Sequence, residues 1–253
     1  MTTTLNGQVA LVTGAAGGIG RAIGRALRDA GARVALADLD KATLDEAVAE
    51  LGGGDEVAAF VADLADDDET TALPERVRDR FGAVDVLVNN AGVRQIAPIL
   101  ELAPADWRRT LDVDLTAPFV LSRAALPGML ERGRGKIVNI ASMAGELAFR
   151  NRAAYCSAKA GLIMLTKTIT LEYGGRGIWC NAVAPGVVET PMTSAYFRSE
   201  QMTASIRANA PMERWAQPDE IARPVAFLCG PDSDYVNGTT LFVDGGWTAG
   251  KGY

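Results

Sequence analysis

Residues 8–20 read QVALVTGAAGGIG, and this stretch decides the fold of the chain. Residues 9–12 are apolar without alternation, which is typical of a parallel strand that helices cover on both faces. A glycine-rich turn and the helix-forming residues 21–30 follow. Glycines in such a turn permit positive φ and the close approach of a phosphate, and the free N–H groups of the next helix attract the anion. The stretch therefore fits a dinucleotide pyrophosphate, although a tight turn without a ligand has the same pattern.

The composition of the 253 residues predicts one domain, because 48% hydrophobic residues can form one large core and no low-complexity linker interrupts them. A net charge of −6 without a basic cluster argues against nucleic acid or an anionic membrane as a partner. No apolar run approaches the roughly 18 residues of a membrane span, and the first residues do not resemble an export signal. We therefore expect a cytoplasmic protein.

The residue types available for chemistry are restricted. The chain has no histidine, which excludes a Ser-His-Asp triad and histidine-based zinc sites. Cys156, Cys180 and Cys229 are odd in number and lack C-x-x-C spacing, so we expect free thiols rather than disulfides or a metal site. Any proton transfer must use tyrosine, lysine, cysteine or a carboxylate.

Short apolar segments alternate with helical segments along the chain. We expect strands at residues 9–12, 33–37, 57–62, 84–88, 135–141, 178–183 and 241–243. We expect helices at residues 21–30, 41–51, 66–81, 104–132, 153–172 and 218–229, with a kink at Pro118. This alternation predicts an α/β fold: a single-domain, doubly wound parallel sheet of the Rossmann type, with helices on both faces.

Asp38 ends the second predicted strand, 24 residues beyond Gly14. A carboxylate at this place can accept hydrogen bonds from the adenosine ribose hydroxyls, and it repels a 2′-phosphate. We therefore expect NAD rather than NADP as the cofactor. The alternative interpretation is that Asp38 only caps the next helix.

Ser142 lies at the carboxyl end of the strand predicted at residues 135–141, and Tyr155 opens the sequence YCSAK. Tyr155 and Lys159 are four residues apart on one helix, so their side chains share a face. A free phenol has a pKa of about 10 and needs a nearby cation to act as a base at neutral pH. Tyr155 therefore suits the exchange of an alcohol proton, Lys159 the stabilisation of the phenolate, and Ser142 the stabilisation of a developing oxyanion. No metal is needed.

These motifs occur together in one known family. The glycine turn has the spacing T-G-x-x-x-G-x-G from Thr13 to Gly20, residues 89–92 read NNAG, and Ser142 precedes Tyr155 and Lys159. Over essentially its whole length the chain resembles the short-chain dehydrogenase/reductase family. The resemblance implies an oxidoreductase that interconverts a secondary alcohol and a ketone by hydride transfer.

The resemblance also assigns residues to the cofactor. In the family, the acid matching Asp63 contacts the adenine, the lysine matching Lys159 holds the nicotinamide ribose, and the stretch after Pro185 holds the carboxamide. The implied cofactor-binding residues are Thr13, Gly14, Gly18, Ile19, Gly20, Asp38, Leu39, Asp63, Leu64, Asn90, Ala91, Gly92, Tyr155, Lys159, Pro185, Gly186, Val188 and Thr190.

One position departs from the family pattern. Residues 113–115 read VDL, where the family usually has VNL. The family asparagine positions a water in the proton relay, partly through its backbone carbonyl. Asp114 is therefore a further candidate catalytic residue, which either keeps that role or pairs with a lysine.

The region where the family builds its carbonyl pocket is polar here, and its candidate substrate-binding residues are Arg94, Glu146 and Arg152. Residues 142–147 resemble those of sugar-acid dehydrogenases such as gluconate 5-dehydrogenases, and an arginine three residues before Tyr155 resembles 3-hydroxybutyrate dehydrogenases. We expect a sugar, sugar acid, polyol or small hydroxy acid, with a carboxylate bound by Arg152. Residues 191–212 predict a mobile substrate lid.

Two other functions are compatible with the resemblance. A reductase of 3-oxoacyl thioesters on an acyl carrier would favour a basic docking surface, which the net charge of −6 does not indicate. A catalytically inactive dinucleotide-binding sensor or scaffold would lack Ser142, Tyr155 or Lys159, and all three are present.

The resemblance further implies a homotetramer. The family pairs its subunits through the helices that match residues 104–132 and 153–172, and the tail at residues 247–253 could reach a neighbouring subunit.

Overall fold

The computed structural model describes residues 4–250 and contains one sheet of seven parallel strands. The strands are β1 (Val9–Thr13), β2 (Arg33–Asp38), β3 (Val57–Val61), β4 (Val86–Asn89), β5 (Gly135–Ile140), β6 (Ile178–Pro185) and β7 (Thr240–Val243). Their order across the sheet is β3-β2-β1-β4-β5-β6-β7. The order reverses between β1 and β4, and this reversal opens a crevice at the carboxyl ends of these strands. Each predicted strand is present, with ends shifted by one or two residues.

Eight α-helices lie within the described part of the chain. They are α1 (Gly18–Asp29), α2 (Lys41–Glu50), α3 (Asp67–Phe81), α4 (Pro104–Leu111), α5 (Ala117–Glu131), α6 (Ala153–Tyr173), α7 (Glu200–Asn209) and α8 (Pro218–Cys229). None of these helices is both long enough and apolar enough to cross a bilayer.

Helices cover both faces of the sheet because its strands are apolar on both sides. On one face, Val12, Val34 and Val138 pack among buried residues of α1, α2 and α8. On the other face, Leu11 and Leu87 pack among buried residues of α3, α5 and α6. The α/β prediction of a single-domain, doubly wound Rossmann-type sheet is therefore confirmed.

The helix predicted at residues 104–132 is interrupted. A π-helical turn (Asp112–Thr116) separates α4 from α5, and there the N–H of Ala117 donates to the carbonyl of Asp112, five residues earlier. Pro118 gives the physical reason, because it has no N–H to donate to the carbonyl of Asp114 in an α-helical bond. The irregularity therefore lies one turn before the proline, and it leaves the Asp114 carbonyl without its α-helical donor.

Residues 191–212, which we call the lid segment, consist mostly of helix. A 3-10 helix (Pro191–Arg198) is followed by α7. The C-terminal tail predicted at residues 247–253 begins with a short 3-10 helix (Trp247–Ala249), in which the ring of Trp247 lies 6.2 Å from that of Phe149. Residues 251–253 of that prediction lie outside the described residues.

Trp215 attaches the lid segment to the body of the protein. Its ring centroid lies 4.7 Å from that of Phe197 and 5.8 Å from the guanidinium carbon of Arg207. Its Nε1 donates to Glu189 at 3.1 Å, just before the segment begins. One indole therefore contacts two residues of the segment and one residue just before it.

Candidate active site

A cavity of about 480 Å³ opens at the carboxyl edge of the sheet, a size typical of small-molecule sites. Thr13, Gly20 and Asp114 are buried behind its surface. Among residues 4–250 there is no group of three or more cysteine, aspartate or glutamate side chains that could hold a metal ion. The predicted residues that line the cavity are Gly14, Gly18, Ile19, Asp38, Leu39, Asp63, Leu64, Asn90, Ala91, Gly92, Arg94, Ser142, Arg152, Tyr155, Lys159, Pro185, Gly186, Val188 and Thr190.

The glycine turn between β1 and α1 forms a cradle that side chains would fill. Gly14 and Gly18 have φ of +63° and +53°, a conformation that favours glycine. A Cβ on Gly20 would lie 2.0 Å from the Gly14 carbonyl oxygen, so only glycine lets the start of α1 approach the turn. The N–H groups at the start of α1 suit an anion, and the turn therefore fits the pyrophosphate of a dinucleotide.

Asn90 and Thr13 join the glycine turn to the end of β4. The Asn90 Nδ2 donates to the carbonyls of Thr13 and Gly14, at 2.9 and 3.0 Å. In return, the Thr13 hydroxyl oxygen accepts from the N–H groups of Asn90 and Ala91. The two sides of the crevice are thus held together by side chains.

Asp38 lines the cavity at the end of β2. Its carboxylate accepts from the N–H of Ala16 at 2.9 Å and from the N–H of Leu39 at 2.7 Å. The cap of α2 is Asp40, whose side chain accepts from the N–H of Thr43. The alternative that Asp38 caps this helix is therefore wrong, and Asp38 instead lines the cavity.

Ser142, Tyr155 and Lys159 meet at the other side of the crevice. The Ser142 Oγ accepts from the N–H of Ala144 at 3.1 Å, which leaves its proton available for a second hydrogen bond. Lys159 is buried one turn after Tyr155, and its Nζ lies 5.6 Å from the phenol ring centroid. The same Nζ donates to the carbonyl of Ile140 at 3.0 Å. The strand end thus fixes the ammonium beside the phenol.

Asp114 is fully buried and pairs with Lys159. Its Oδ1 accepts from the N–H of Val93 at 2.7 Å, and its Oδ2 lies 3.2 Å from the Lys159 Nζ. Oδ2 has no hydrogen bond of good geometry, so the attraction to Lys159 is mainly Coulombic. Of the two alternatives for Asp114, the structure contains the lysine pair.

The pair changes the acidity of both groups. Burial raises the pKa of Asp114, although Lys159 and the Val93 N–H oppose this change. Burial acts to lower the pKa of Lys159, but attraction to Asp114 and Tyr155 outweighs it, and the pKa is raised. Lys159 therefore stays protonated at neutral pH, and part of its charge is compensated by a carboxylate.

The predicted substrate residues do not all reach the cavity. Arg94 and Arg152 line it, whereas Glu146 is exposed and does not. Glu146 follows a short 3-10 helix (Met143–Gly145) that buries its own first residues and directs the chain outwards. The structure therefore does not bring Glu146 together with the other site residues.

Further lining residues were not predicted as site residues. Phe149, Met192 and Tyr196 line the cavity, and the Tyr196 hydroxyl accepts a hydrogen bond from Arg152. Tyr196 lies within the segment that the sequence predicts as a lid. Neither composition nor spacing shows which residues of that segment face inwards.

Known proteins resemble this chain over almost its whole length. Residues 14–248 match a family model described as enoyl-(acyl carrier protein) reductase. The chain is 41% identical over 246 residues to D-threitol dehydrogenase of Mycolicibacterium smegmatis. This match covers 96% of the chain and 94% of the relative. It is 38% identical over 249 residues to a 3-oxoacyl-(acyl-carrier-protein) reductase of Vibrio cholerae, with coverage of 96% and 98%.

Solved structures show the same similarity. A gluconate 5-dehydrogenase of Burkholderia cenocepacia in complex with NADP and tartrate superposes with a TM-score of 0.92 and 36% identity. The match covers 98% of this chain and 97% of the other. The similarity therefore includes the sheet and the helices around it.

We predict that Asp114→Asn lowers the apparent pKa of the pH profile of alcohol oxidation by about one unit. Asparagine keeps an oxygen for the Val93 N–H but removes the negative charge beside Lys159. The ammonium then stabilises the phenolate of Tyr155 more strongly. The measurement is kcat/KM against pH for both proteins.

Asp114→Ala is the matched control, because it removes the acceptor as well as the charge. Its free energy of unfolding should fall by about 1 to 3 kcal/mol, since a buried N–H loses its partner. If the profile of Asp114→Asn is unchanged and kcat stays within a few fold, only the backbone carbonyl of Asp114 serves the relay.

Proposed function

Because the chain belongs to the short-chain dehydrogenase/reductase family, we propose that it is an NAD-dependent enzyme that interconverts a secondary alcohol and a ketone. The observation that carries the proposal is a single cavity lined by the glycine cradle and by Ser142, Tyr155 and Lys159. The acid Asp38 ends β2 on one side of the crevice, and Ser142 follows β5 on the other side. This separation suits an extended dinucleotide whose reactive end lies beside the substrate.

The side chains of this protein perform the proton chemistry. When bound, a nicotinamide dinucleotide supplies the hydride acceptor for oxidation and the hydride donor for reduction. Tyr155 takes the proton of the alcohol hydroxyl, or returns it to the ketone oxygen. Lys159 stabilises the phenolate, and the Ser142 hydroxyl donates to the substrate oxygen as negative charge develops on it. Gly14, Gly18 and the start of α1 would hold the pyrophosphate.

The substrate class that we propose is a sugar, sugar acid, polyol or small hydroxy acid. The relative named D-threitol dehydrogenase and the structure of a gluconate 5-dehydrogenase with tartrate support a hydroxylated substrate. Arg94 and Arg152 in the cavity support a polar one.

Reduction of 3-oxoacyl thioesters is the second candidate, favoured by relatives named 3-oxoacyl-(acyl-carrier-protein) reductase. An acidic carrier protein would require a basic docking surface, and the net charge of −6 does not favour one. The two candidates are separated by their substrates. An enzyme that oxidises a thioester-free alcohol and does not reduce acetoacetyl thioesters supports the first candidate over the second.

The proposed function predicts that some members of a panel of sugars, polyols and hydroxy acids are oxidised. Their oxidation is measured as an increase in the absorbance of the reduced nicotinamide. Tyr155→Phe should lower kcat by at least about 100-fold, because it removes the proton acceptor while keeping the ring. Dinucleotide binding, measured by calorimetry, should persist in this variant. Binding without turnover in the wild-type protein would instead indicate an inactive sensor or scaffold.

We propose that the cofactor is NAD, although the related gluconate 5-dehydrogenase structure contains NADP. The support is Asp38, whose charge opposes a 2′-phosphate. Arg21 contacts the same turn, but its guanidinium donates to the carbonyls of Ala16 and Thr43 and pairs with Glu50. This cation is therefore already committed to partners within the protein.

We predict that kcat/KM with NAD exceeds that with NADP by at least about 100-fold. Asp38→Ser should reduce the ratio by removing the repelling charge. The matched control is Asp40→Ser, since Asp40 caps α2 and serine also caps helices. Comparable efficiency with both dinucleotides in the wild-type enzyme would overturn the assignment.

We propose a homotetramer in the cytoplasm. The three free cysteines support a reducing compartment. Large apolar side chains on α5 and α6 support subunit pairing, because Phe119, Met164 and Leu171 are 49%, 59% and 87% exposed.

We predict that light scattering at micromolar concentration gives four times the chain mass of 26.6 kDa. Leu171→Glu should reduce the measured mass, because it places a charge in the proposed interface. Leu100→Glu is the control, since Leu100 is 97% exposed and lies on neither helix. A monomeric wild-type protein would contradict the proposal.

A further inference from the structure

Thr193 holds the turn that connects the end of β6 to the lid segment. Its side chain is buried, with 9% of its surface exposed, and its hydroxyl contacts two residues that precede it in this turn. The Thr193 Oγ1 accepts from the N–H of Thr190 at 3.0 Å and donates to the carbonyl of Val188. A hydroxyl has one proton, so this donation uses the only proton that Thr193 has.

The hydroxyl of Thr190 is a further neighbour of Thr193. The two Oγ1 atoms lie 3.1 Å apart, and this distance alone allows either hydroxyl to be the donor. The Thr190 carbonyl does not compete for the Thr193 proton, because it already accepts from the N–H of Thr193 at 3.0 Å. Since the Thr193 proton is directed to Val188, the Thr190 hydroxyl is the donor. Thr190 is then left with lone pairs alone for a ligand.

The glycine cradle fixes the orientation of Thr190 from the opposite side. A Cβ on Gly18 would lie 3.2 Å from the Thr190 Cγ2, so the methyl group of Thr190 is the part that faces the cradle. Threonine is restricted at χ1 because two heavy atoms are attached to its Cβ. The packing of the methyl group therefore keeps the Thr190 hydroxyl on the side of Thr193.

The backbone N–H of Val188 is a donor beside this acceptor. Val188 forms a parallel bridge with Ala216, and the hydrogen bonds of the bridge belong to Val187, Ala216 and Glu189. The N–H and the carbonyl of Val188 therefore point away from the bridge. The carbonyl is bound by Thr193, whereas no atom of residues 4–250 accepts a hydrogen bond from the N–H.

The cavity wall thus combines one donor, at Val188, with one acceptor, at Thr190. Both residues line the cavity after β6, and β6 is the neighbour of the strand that Ser142 follows. A primary amide has the complementary groups, a carbonyl and an NH2. The family resemblance implies that this stretch holds the nicotinamide carboxamide, but it does not say what sets the direction of the hydrogen bonds.

We propose that Thr193 is a positioning residue that makes Thr190 an acceptor only, so that the site selects a dinucleotide whose ring carries an amide NH2. The proposal rests on the proposed dehydrogenase function, because it concerns the cofactor of the same site. Thr193 acts through the Thr190 hydroxyl. A ring that carries a methyl ketone in place of the amide loses the hydrogen bond to Thr190 and gains none in exchange.

The first experiment measures binding without turnover, by calorimetry of the full-length protein with NAD and with 3-acetylpyridine adenine dinucleotide. The wild-type protein should bind NAD about 3 to 10-fold more tightly than the analogue, in which a methyl group replaces the NH2. Thr193→Val should reduce this preference to less than about 2-fold, because the Thr190 hydroxyl becomes free to turn and to donate. Thr193→Ser keeps the hydroxyl and should retain the wild-type preference.

ADP-ribose and Ser194→Ala are the controls. ADP-ribose lacks the nicotinamide ring, so its dissociation constant should change less than about 2-fold in every variant. Ser194 is exposed, its hydroxyl donates to the Pro191 carbonyl, and it does not line the cavity. Ser194→Ala should therefore keep the preference for NAD. If Thr193→Val weakens NAD and ADP-ribose equally and leaves the preference unchanged, Thr193 only supports the fold of the turn, and the proposal is overturned.

The second experiment combines Thr190→Val with Thr193→Val. Each single variant should lower the preference for NAD, and the double variant should lower it no further, because Thr193 acts through Thr190. Additive losses would overturn the proposal. If neither NAD nor ADP-ribose binds to the wild-type protein, the proposed dehydrogenase function fails. If both bind but NAD is not preferred to the analogue, the role of Thr193 fails and the dehydrogenase function stands.

Discussion

The crevice at the centre of the sheet depends on the side-chain amide of Asn90. This amide donates to the carbonyls of Thr13 and Gly14, where β1 ends and the glycine turn begins. Without this amide, each of the two carbonyls would lose a hydrogen-bond donor, which would destabilise the fold by about 1 to 3 kcal/mol per carbonyl. Because Gly20 has no Cβ, α1 can begin directly against this junction. The glycine cradle therefore has a fixed position relative to β4, and through β4 relative to Ser142, Tyr155 and Lys159.

Charge is distributed unequally along the cavity that this junction divides. Asp38 and Asp63 line it near β2 and β3, and Arg94 and Arg152 line it near β4 and β5. The buried pair of Asp114 and Lys159 lies behind the second half and contributes little net charge to it. The electrostatic field therefore changes sign along the cavity.

The parts of the fold and site that the sequence predicts are those encoded locally. The strands, the glycine turn and the shared face of Tyr155 and Lys159 each follow from residues within one turn or strand. The contact between Asp114 and Lys159 joins two helices, and the approach of Tyr196 to Arg94 joins a lid to a loop. Such contacts depend on how elements pack. The same limit explains Glu146, whose neighbours in sequence line the cavity while its own side chain faces solvent.

The π-helical turn at Asp112–Thr116 makes the site sensitive to the insertion or deletion of a residue in this part of the chain. A π-helical turn contains about one residue more than an α-helical turn, so it has the form that a single inserted residue leaves in a continuous helix. Deleting one residue there would rotate the preceding turns by about 100° relative to α5. The position of the carboxylate beside Lys159 therefore depends on the number of residues in this helix as well as on the residue type at position 114.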